Sequence, residues 1–326
     1  MNILRISKVE TSSIVVEPYT SKILAIIGGK DYASSQFNRA TQANRQIGST
    51  IKPLLYYLAL ENGFTPATTF LCEPTTFKLD DNSTYSPSNF NDKYAYKDVT
   101  LAQAIAVSDN IFAVKTHLFL GTDNLASLIK KFGIKDVKAN ASLALGTLNT
   151  NIYNLANMYN CLASEGKYNH LYTIEKITND AGKVLYQHEQ EDKQLLEQDS
   201  CLELSQLLTY TFNSTFSTYL QATMASYQLD NINACKTGST DVDNLAVAYN
   251  PQVLVASWVG YDDNRKMETA DDKTVAKKTV IDVLNYTNEN KDVTWYQPTE
   301  DLQQIAINPL TGDFDENGTV YWFKKD

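Results

Sequence analysis

Pro53 stands at the head of a mostly apolar run, Leu54-Leu55-Tyr56-Tyr57-Leu58-Ala59-Leu60, and it constrains what that run becomes. Proline lacks an N–H, so a helix accepts it in the first turn, where that donor has no partner anyway. The stretch GSTIKPLLYYLAL (48–60) is therefore expected to be a core helix that begins near Ser49. Ser49 and Lys52 then lie i and i+3 on one face, about 4.5 Å apart along the axis at roughly 1.5 Å per residue. An isolated S-x-x-K is ordinarily an N-cap serine followed by a solvated lysine. The chain carries such a pair in Ser127 and Lys130. Whatever sets Ser49 and Lys52 apart must come from the rest of the sequence.

Around that helix, residues 12–17 (SSIVVE) and 22–28 (KILAIIG) read as two strands about a turn at PYTS. The pattern from about 61 to 165 is mostly helical, with 99–108 and 111–120 flanking a short polar step. Helices over 124–133 and 151–167 follow, the latter closing on a glycine stop. Strands return at 172–178 and 183–188, joined by NDAG. A helix over 201–212 leads to strands at 232–240, 244–250 and 253–261, which read as antiparallel neighbours, and then to a last helix over 273–289. Strands early, helices in the middle and strands late imply a single α+β domain spanning 1–326. Its helical lobe is expected at about 61–165, its sheet lobe at about 1–60 and 166–290, and an irregular tail at 291–326, which is rich in Asp, Pro and Gly.

Composition excludes several function classes. The net charge of −10 argues against nucleic acid as a partner, since phosphate binding needs a basic surface. No apolar run approaches the ~20 residues of a membrane span, and no signal peptide is visible. Cysteines 72, 161, 201 and 235 are scattered and expected to be free, partly buried thiols. With only three histidines they offer no metal-ligand spacing, so neither a metal nor a cofactor is expected.

The chemistry has to come from serine and lysine. A serine hydroxyl is a poor nucleophile until a base takes its proton, and no Ser-His-Asp arrangement is evident. A lysine base needs its pKa brought from about 10.4 towards neutrality, and about 3 units correspond to roughly 4 kcal/mol. Burial and a second cation are the usual means, so a second lysine is expected nearby. Lys236, in ACKTGSTD, is the candidate. There Gly238 lets a ligand or another backbone come close to a strand, while Thr237, Ser239 and Thr240 present hydroxyls. Taken alone, Lys236 reads as an edge-strand lysine that guards against aggregation. Ser108-Asp109-Asn110, taken alone, reads as a helix cap for the segment from Ile111. A serine there can relay a proton, and an asparagine can both donate to and accept from a peptide amide.

Together the three elements run S-x-x-K, S-x-N, K-T-G, with S-D-N and K-T-G each occurring once. That set is the pattern of penicillin-binding proteins and class A β-lactamases. The chain resembles the transpeptidase domain of class A penicillin-binding proteins over nearly its whole length. The resemblance extends through 15–53, 85–115, 142–167 (with its Ala-Leu-Gly segment) and PQVLVASWVGYDD. It implies the serine β-lactamase and transpeptidase fold, an antiparallel sheet flanked by helices with a mostly helical lobe.

It also implies acyl transfer in cell-wall synthesis. Ser49 attacks the D-Ala-D-Ala bond of a peptidoglycan stem peptide, Lys52 is the general base, and Ser108 shuttles the proton to the leaving D-alanine. Asn110 holds the substrate amide, and Lys236, Thr237 and Ser239, with Gly238 between them, bind the terminal carboxylate. The N–H groups of Ser49 and Ser239 form an oxyanion hole, a term of roughly 3–4 kcal/mol per donor. β-Lactams are implied as covalent inhibitors, other cell-wall synthesis proteins as partners, and the outer face of the bacterial cytoplasmic membrane as the location of a full-length protein. Members of the class carry a cytoplasmic tail, a membrane helix and a glycosyltransferase domain first, so the chain reads as an excised domain or an unusual short form. Where they usually have a Trp–Phe pair after K-T-G, this chain has NLAVAY. The alternatives are a DD-carboxypeptidase, a β-lactamase, which lacks support because no E-x-x-L-N segment is found, and a non-catalytic β-lactam sensor, which has no need to keep all five polar groups.

Overall fold

The computed structural model describes residues 8–79, 82–191, 193–289 and 291–325. Residues 1–7, 80–81, 192, 290 and 326, which the expected lobes and tail include, lie outside the described residues.

Five antiparallel strands form the central sheet: β1 (Glu10–Glu17), β2 (Lys22–Ile27), β3 (Ala234–Ser239), β4 (Asn244–Tyr249) and β5 (Leu254–Gly260). Their order is β3-β4-β5-β1-β2, so the K-T-G strand lies at an edge. Strand β5 is buried along its whole length. Its alternate residues serve two apolar layers: Leu254, Ala256 and Trp258 face one, and Val255 and Val259 face the other. Both faces are therefore covered, which is why this strand reads as continuously apolar rather than alternating.

Besides one short turn of helix at Arg39–Gln42, the helices are α1 (Lys52–Glu61), α2 (Leu101–Val107), α3 (Asn110–Leu120), α4 (Thr122–Lys131), α5 (Ile152–Ala163), α6 (Gln198–Thr209) and α7 (Val275–Asn288). Helix α1 is apolar around its circumference and buried on nearly every side, with Leu54, Leu55, Tyr56 and Leu60 at 2% exposure or less. It packs against α3, α4 and α6, whereas α5 and α7 cover the sheet. Each leucine removed from water there contributes about 2 kcal/mol. The interior of α1 is thus a rigid base for whatever its first turn presents.

Two features differ from expectation. The tail at 291–326 is not irregular throughout: β6 (Leu302–Ile307) and β7 (Thr319–Lys324) pair as an antiparallel hairpin. It docks on α6, where Trp322 N–H donates to Gln206 Oε1 at 2.8 Å, and Tyr321 is fully buried. Neither strand alternates apolar with polar residues, so no period of two announced the pair. The 61–165 region also contains a short strand pair, 69–71 with 98–100, among its helices.

Candidate active site

The first helical turn is not α-helical. Gly48–Ile51 forms a 3-10 turn that runs directly into α1 at Lys52, and Pro53 occupies the start of the helix as expected. The turn is clamped by backbone on two sides. A Cβ on Gly146, which has φ +81°, would fall 1.9 Å from the Gly48 carbonyl oxygen. One on Gly238 would fall 2.4 Å from the Ile47 carbonyl oxygen. The glycine of K-T-G thus serves the close approach of another backbone, which brings the edge strand against Ser49. Tyr159, buried on α5, donates its hydroxyl to the Thr50 carbonyl at 2.7 Å and fixes the turn from below.

Lys52 is fully buried. Its Nζ lies 2.8 Å from the Ser108 carbonyl, 3.0 Å from the Asp109 carbonyl, 2.8 Å from Asn110 Oδ1 and 3.3 Å from Ser108 Oγ. All four acceptors come from one three-residue step between α2 and α3. They converge because Ser108 adopts the left-handed conformation, φ 61° and ψ 44°, at the end of α2. Such a conformation costs a residue with a Cβ on the order of 1–3 kcal/mol, and such strain clusters at functional positions. Asp109 then caps α3, accepting from Phe112 N–H at 2.6 Å.

Lys236 is also fully buried and donates to the same Ser108 Oγ at 2.9 Å, and to the Thr237 carbonyl at 2.8 Å. One hydroxyl therefore sits between two lysine nitrogens. Burial excludes the reading of Lys236 as an aggregation guard, which requires solvent exposure. Ser127 and Lys130, by contrast, are both exposed on α4. Burial, reinforced by the Lys236 charge and partly opposed by Asp109, holds Lys52 well below the ordinary lysine range. Burial pulls Lys236 down to about 7, and Lys277 pushes the same way. Neither lysine is in ion-pair contact with a carboxylate among the described residues.

Above the two lysines lies a cleft of about 560 Å³ lined by Ser49, Ser108, Asn110, Thr237, Ser239 and Lys277, among others. That volume suits a substrate of a few residues. Every expected site residue is therefore brought to one place, with Lys52 and Lys236 beneath its floor. Ser49 thus lines the cleft at the mouth of α1, three residues before a buried lysine whose pKa burial lowers, the pairing that nucleophilic attack by a serine on a carbonyl requires.

Sequence reading assigned no part to several residues that hold this geometry. Asn89 accepts from Asn110 N–H at 2.7 Å and donates to Asp109 Oδ2 at 2.6 Å, while the Ser88 carbonyl accepts from Asn110 Nδ2 at 2.7 Å. The turn after K-T-G is pinned by buried Asp243, which accepts from Arg45 Nη2 at 2.7 Å and from Trp258 Nε1 at 2.9 Å. Trp258 lies opposite Leu245 in the sheet, so an aromatic ring on β5 backs the NLAVAY strand. These residues belong to segments distant in sequence, and no local pattern announces them.

Residues 11–278 match the family described as penicillin binding protein transpeptidase domain. The chain belongs to that family. It is 39% identical over 310 residues to penicillin-binding protein 2D of Bacillus subtilis, covering 94% of this chain and 45% of that protein. It is 33% identical to penicillin-binding protein 1A of Aquifex aeolicus, covering 93% and 42%. The chain thus spans less than half the length of these curated relatives. Among solved structures, penicillin-binding protein 1A from Haemophilus influenzae superposes with a TM-score of 0.88 at 23% identity, covering 98% of this chain and 54% of that one. PonA1 of Mycobacterium tuberculosis, solved in complex with penicillin V, gives 0.75 at 19% identity, covering 90% and 81%. Those likenesses establish the transpeptidase fold, an antiparallel sheet flanked by helices. No helix among the described residues is long and apolar enough to cross a membrane.

Proposed function

We propose that this domain is a serine DD-transpeptidase that forms an acyl-enzyme with D-Ala-D-Ala stem peptides and is acylated by β-lactams. In this reading Lys52 Nζ takes the proton of Ser49 as Oγ attacks the carbonyl carbon of the penultimate D-alanine. Ser108 passes a proton to the nitrogen of the departing D-alanine. The ester at Ser49 is then attacked by an acceptor amine, whose proton returns through Lys52. Asn110 orients the substrate amide as well as Lys52, and Thr237 and Ser239 face the terminal carboxylate with Lys236 beneath them. The N–H groups of Ser49 and Ser239 stabilise the oxyanion. The domain acts on the outer face of the cytoplasmic membrane as part of a longer protein.

One juxtaposition carries the reading: two fully buried lysines share the Ser108 hydroxyl directly below the cleft that Ser49 lines. A solvated lysine at that place would stay protonated and could not act as a base. The test is intact mass after incubation with benzylpenicillin. One acyl adduct is expected, located on the Ser49 peptide, absent in Ser49→Ala and retained in Ser127→Ala. An adduct elsewhere, or none, refutes the assignment. An adduct that persists supports a transpeptidase, whereas rapid turnover favours a β-lactamase.

A further inference from the structure

Neither lysine of the family pattern is among the residues that line the cleft. Lys52 commits its Nζ to the 108–110 step, and Lys236 commits its own to Ser108 Oγ and the Thr237 carbonyl. Among the described residues that line the cleft, Lys277 carries the only formal charge.

Lys277 sits in the first turn of α7, a position where the helix dipole disfavours a cation and favours an anion. It is half-buried, and burial lowers its pKa as well. Among the described residues its Nζ makes one hydrogen bond, 2.9 Å to the Thr223 carbonyl. No carboxylate is in ion-pair contact with it among the described residues, whereas its neighbour Lys278 lies 3.9 Å from Asp271. Three circumstances thus oppose a charge here, and one neutral oxygen supports it.

Its position in the cleft is fixed from two directions. Thr223 N–H donates to the Ala106 carbonyl at 3.0 Å, so the Lys277 ammonium is tied to the end of α2 that bears Ser108. Ala276 and Val280 pack in the same apolar layer as Cys235, which lies on the β3 face shared with Thr237 and Ser239. Lys277 and the two strand hydroxyls therefore line one cleft.

We propose that Lys277 is a substrate-binding residue that supplies the cationic anchor for the C-terminal carboxylate of the acyl donor, together with the hydroxyls of Thr237 and Ser239. Lys236 then acts below the strand, on Ser108 and on the charge state of Lys52. The proposal rests on the acyl-transfer reading above and refines which residue holds the donor. The competing role is a strut, in which Lys277 merely ties the 223 loop to α7.

The experiment measures second-order acylation rates by stopped flow, on the whole chain, with benzylpenicillin and with its methyl ester, which lacks the carboxylate charge. Lys277→Met should slow acylation by the free acid about ten- to hundredfold, the worth of a charge-assisted hydrogen bond, and leave the ester rate essentially unchanged. Lys277→Gln, which still reaches the Thr223 carbonyl, should behave like Lys277→Met, and Lys277→Arg should recover most of the rate. Equal slowing of acid and ester, or full recovery with Lys277→Gln, establishes the strut and overturns the proposal. So does an unchanged rate with the free acid. Absence of any Ser49 adduct in the wild type is a different result: it removes the acyl-transfer reading and this proposal with it. Thermal melts of each variant identify any that fail to fold, and Lys277→Gln still decides between anchor and strut if Lys277→Met is one of them.

Discussion

Asp109→Asn probes the middle residue of the S-D-N step, to which the sequence gives no role beyond a helix cap. The Asp109 carboxylate is fully buried and accepts four hydrogen bonds: Phe112 N–H at 2.6 Å on Oδ1, and Asn89 Nδ2 at 2.6 Å, Tyr219 hydroxyl at 2.7 Å and Cys72 thiol at 3.0 Å on Oδ2. In the asparagine variant Oδ1 still caps α3. The new NH₂ replaces Oδ2, and Tyr219 Oη and Cys72 Sγ can accept from it once their own hydrogens turn away. Asn89 cannot flip to do the same, because its Oδ1 already accepts from Asn110 N–H. One buried donor is left facing another, a cost of about 1–3 kcal/mol, and the charge assistance to the other bonds is worth about 1 kcal/mol more. At about 2.1 cal/mol/K per residue, 1 kcal/mol shifts Tm by roughly 1.5 °C in a chain of 326 residues. Asp109→Asn should therefore lower Tm by about 3–6 °C in scanning calorimetry, against less than about 1 °C for the exposed control Asp136→Asn. Acylation by benzylpenicillin should fall with it, since Asn89 holds Asn110 and Asn110 holds Lys52. Asp109 also raises the Lys52 pKa, so the acidic limb of the remaining activity should move to lower pH. A melting temperature equal to that of the control would refute the hydrogen-bond reasoning.

Two further outcomes follow from the same geometry. Lys236→Met removes a positive neighbour that lowers Lys52, so Lys52 should keep its proton to higher pH and the acidic limb of the acylation profile should move up; a limb that stays in place with only a reduced rate would mean that Lys236 does not tune the base. Gly146→Ala forces a methyl group into the Gly48 carbonyl and should cost about 3 kcal/mol or more, with loss of acylation, whereas Gly182→Ala, also at positive φ but with open space around it, should cost about 1 kcal/mol in urea unfolding.

The elements that position the chemistry were legible wherever a local rule forces the outcome. Pro53 marks the start of α1, and the apolar runs of β4 and β5 announce neighbouring antiparallel strands. The S-x-x-K, S-x-N and K-T-G segments were recognisable as a set, and they meet at one cleft. Other contributions were not legible because they depend on partners remote in the chain. Asn89 looks like one polar residue of a loop until its amide is seen between Asp109 and Asn110. Arg45 and Asp243, 198 residues apart, read as surface charges, yet the Asp243 side chain is nearly inaccessible. Lys277 sits in KTVAKKTVID, where helical charge ordinarily means solvent. The hairpin at the C-terminal end was hidden because neither of its strands alternates apolar with polar residues.

The cleft is assembled from segments around residues 49, 108, 237 and 277, so no short stretch of the chain contains it. In an unfolded molecule Lys52 is an ordinary solvated lysine, neutral in fewer than about one copy in a thousand at pH 7, and Ser49 is as inert as any serine. Covalent capture of a fluorescent penicillin would then be a census of native molecules. The labelled fraction of a heated or urea-treated sample, read on a denaturing gel after a brief pulse, would follow the folded population alone, with no need for a spectroscopic baseline.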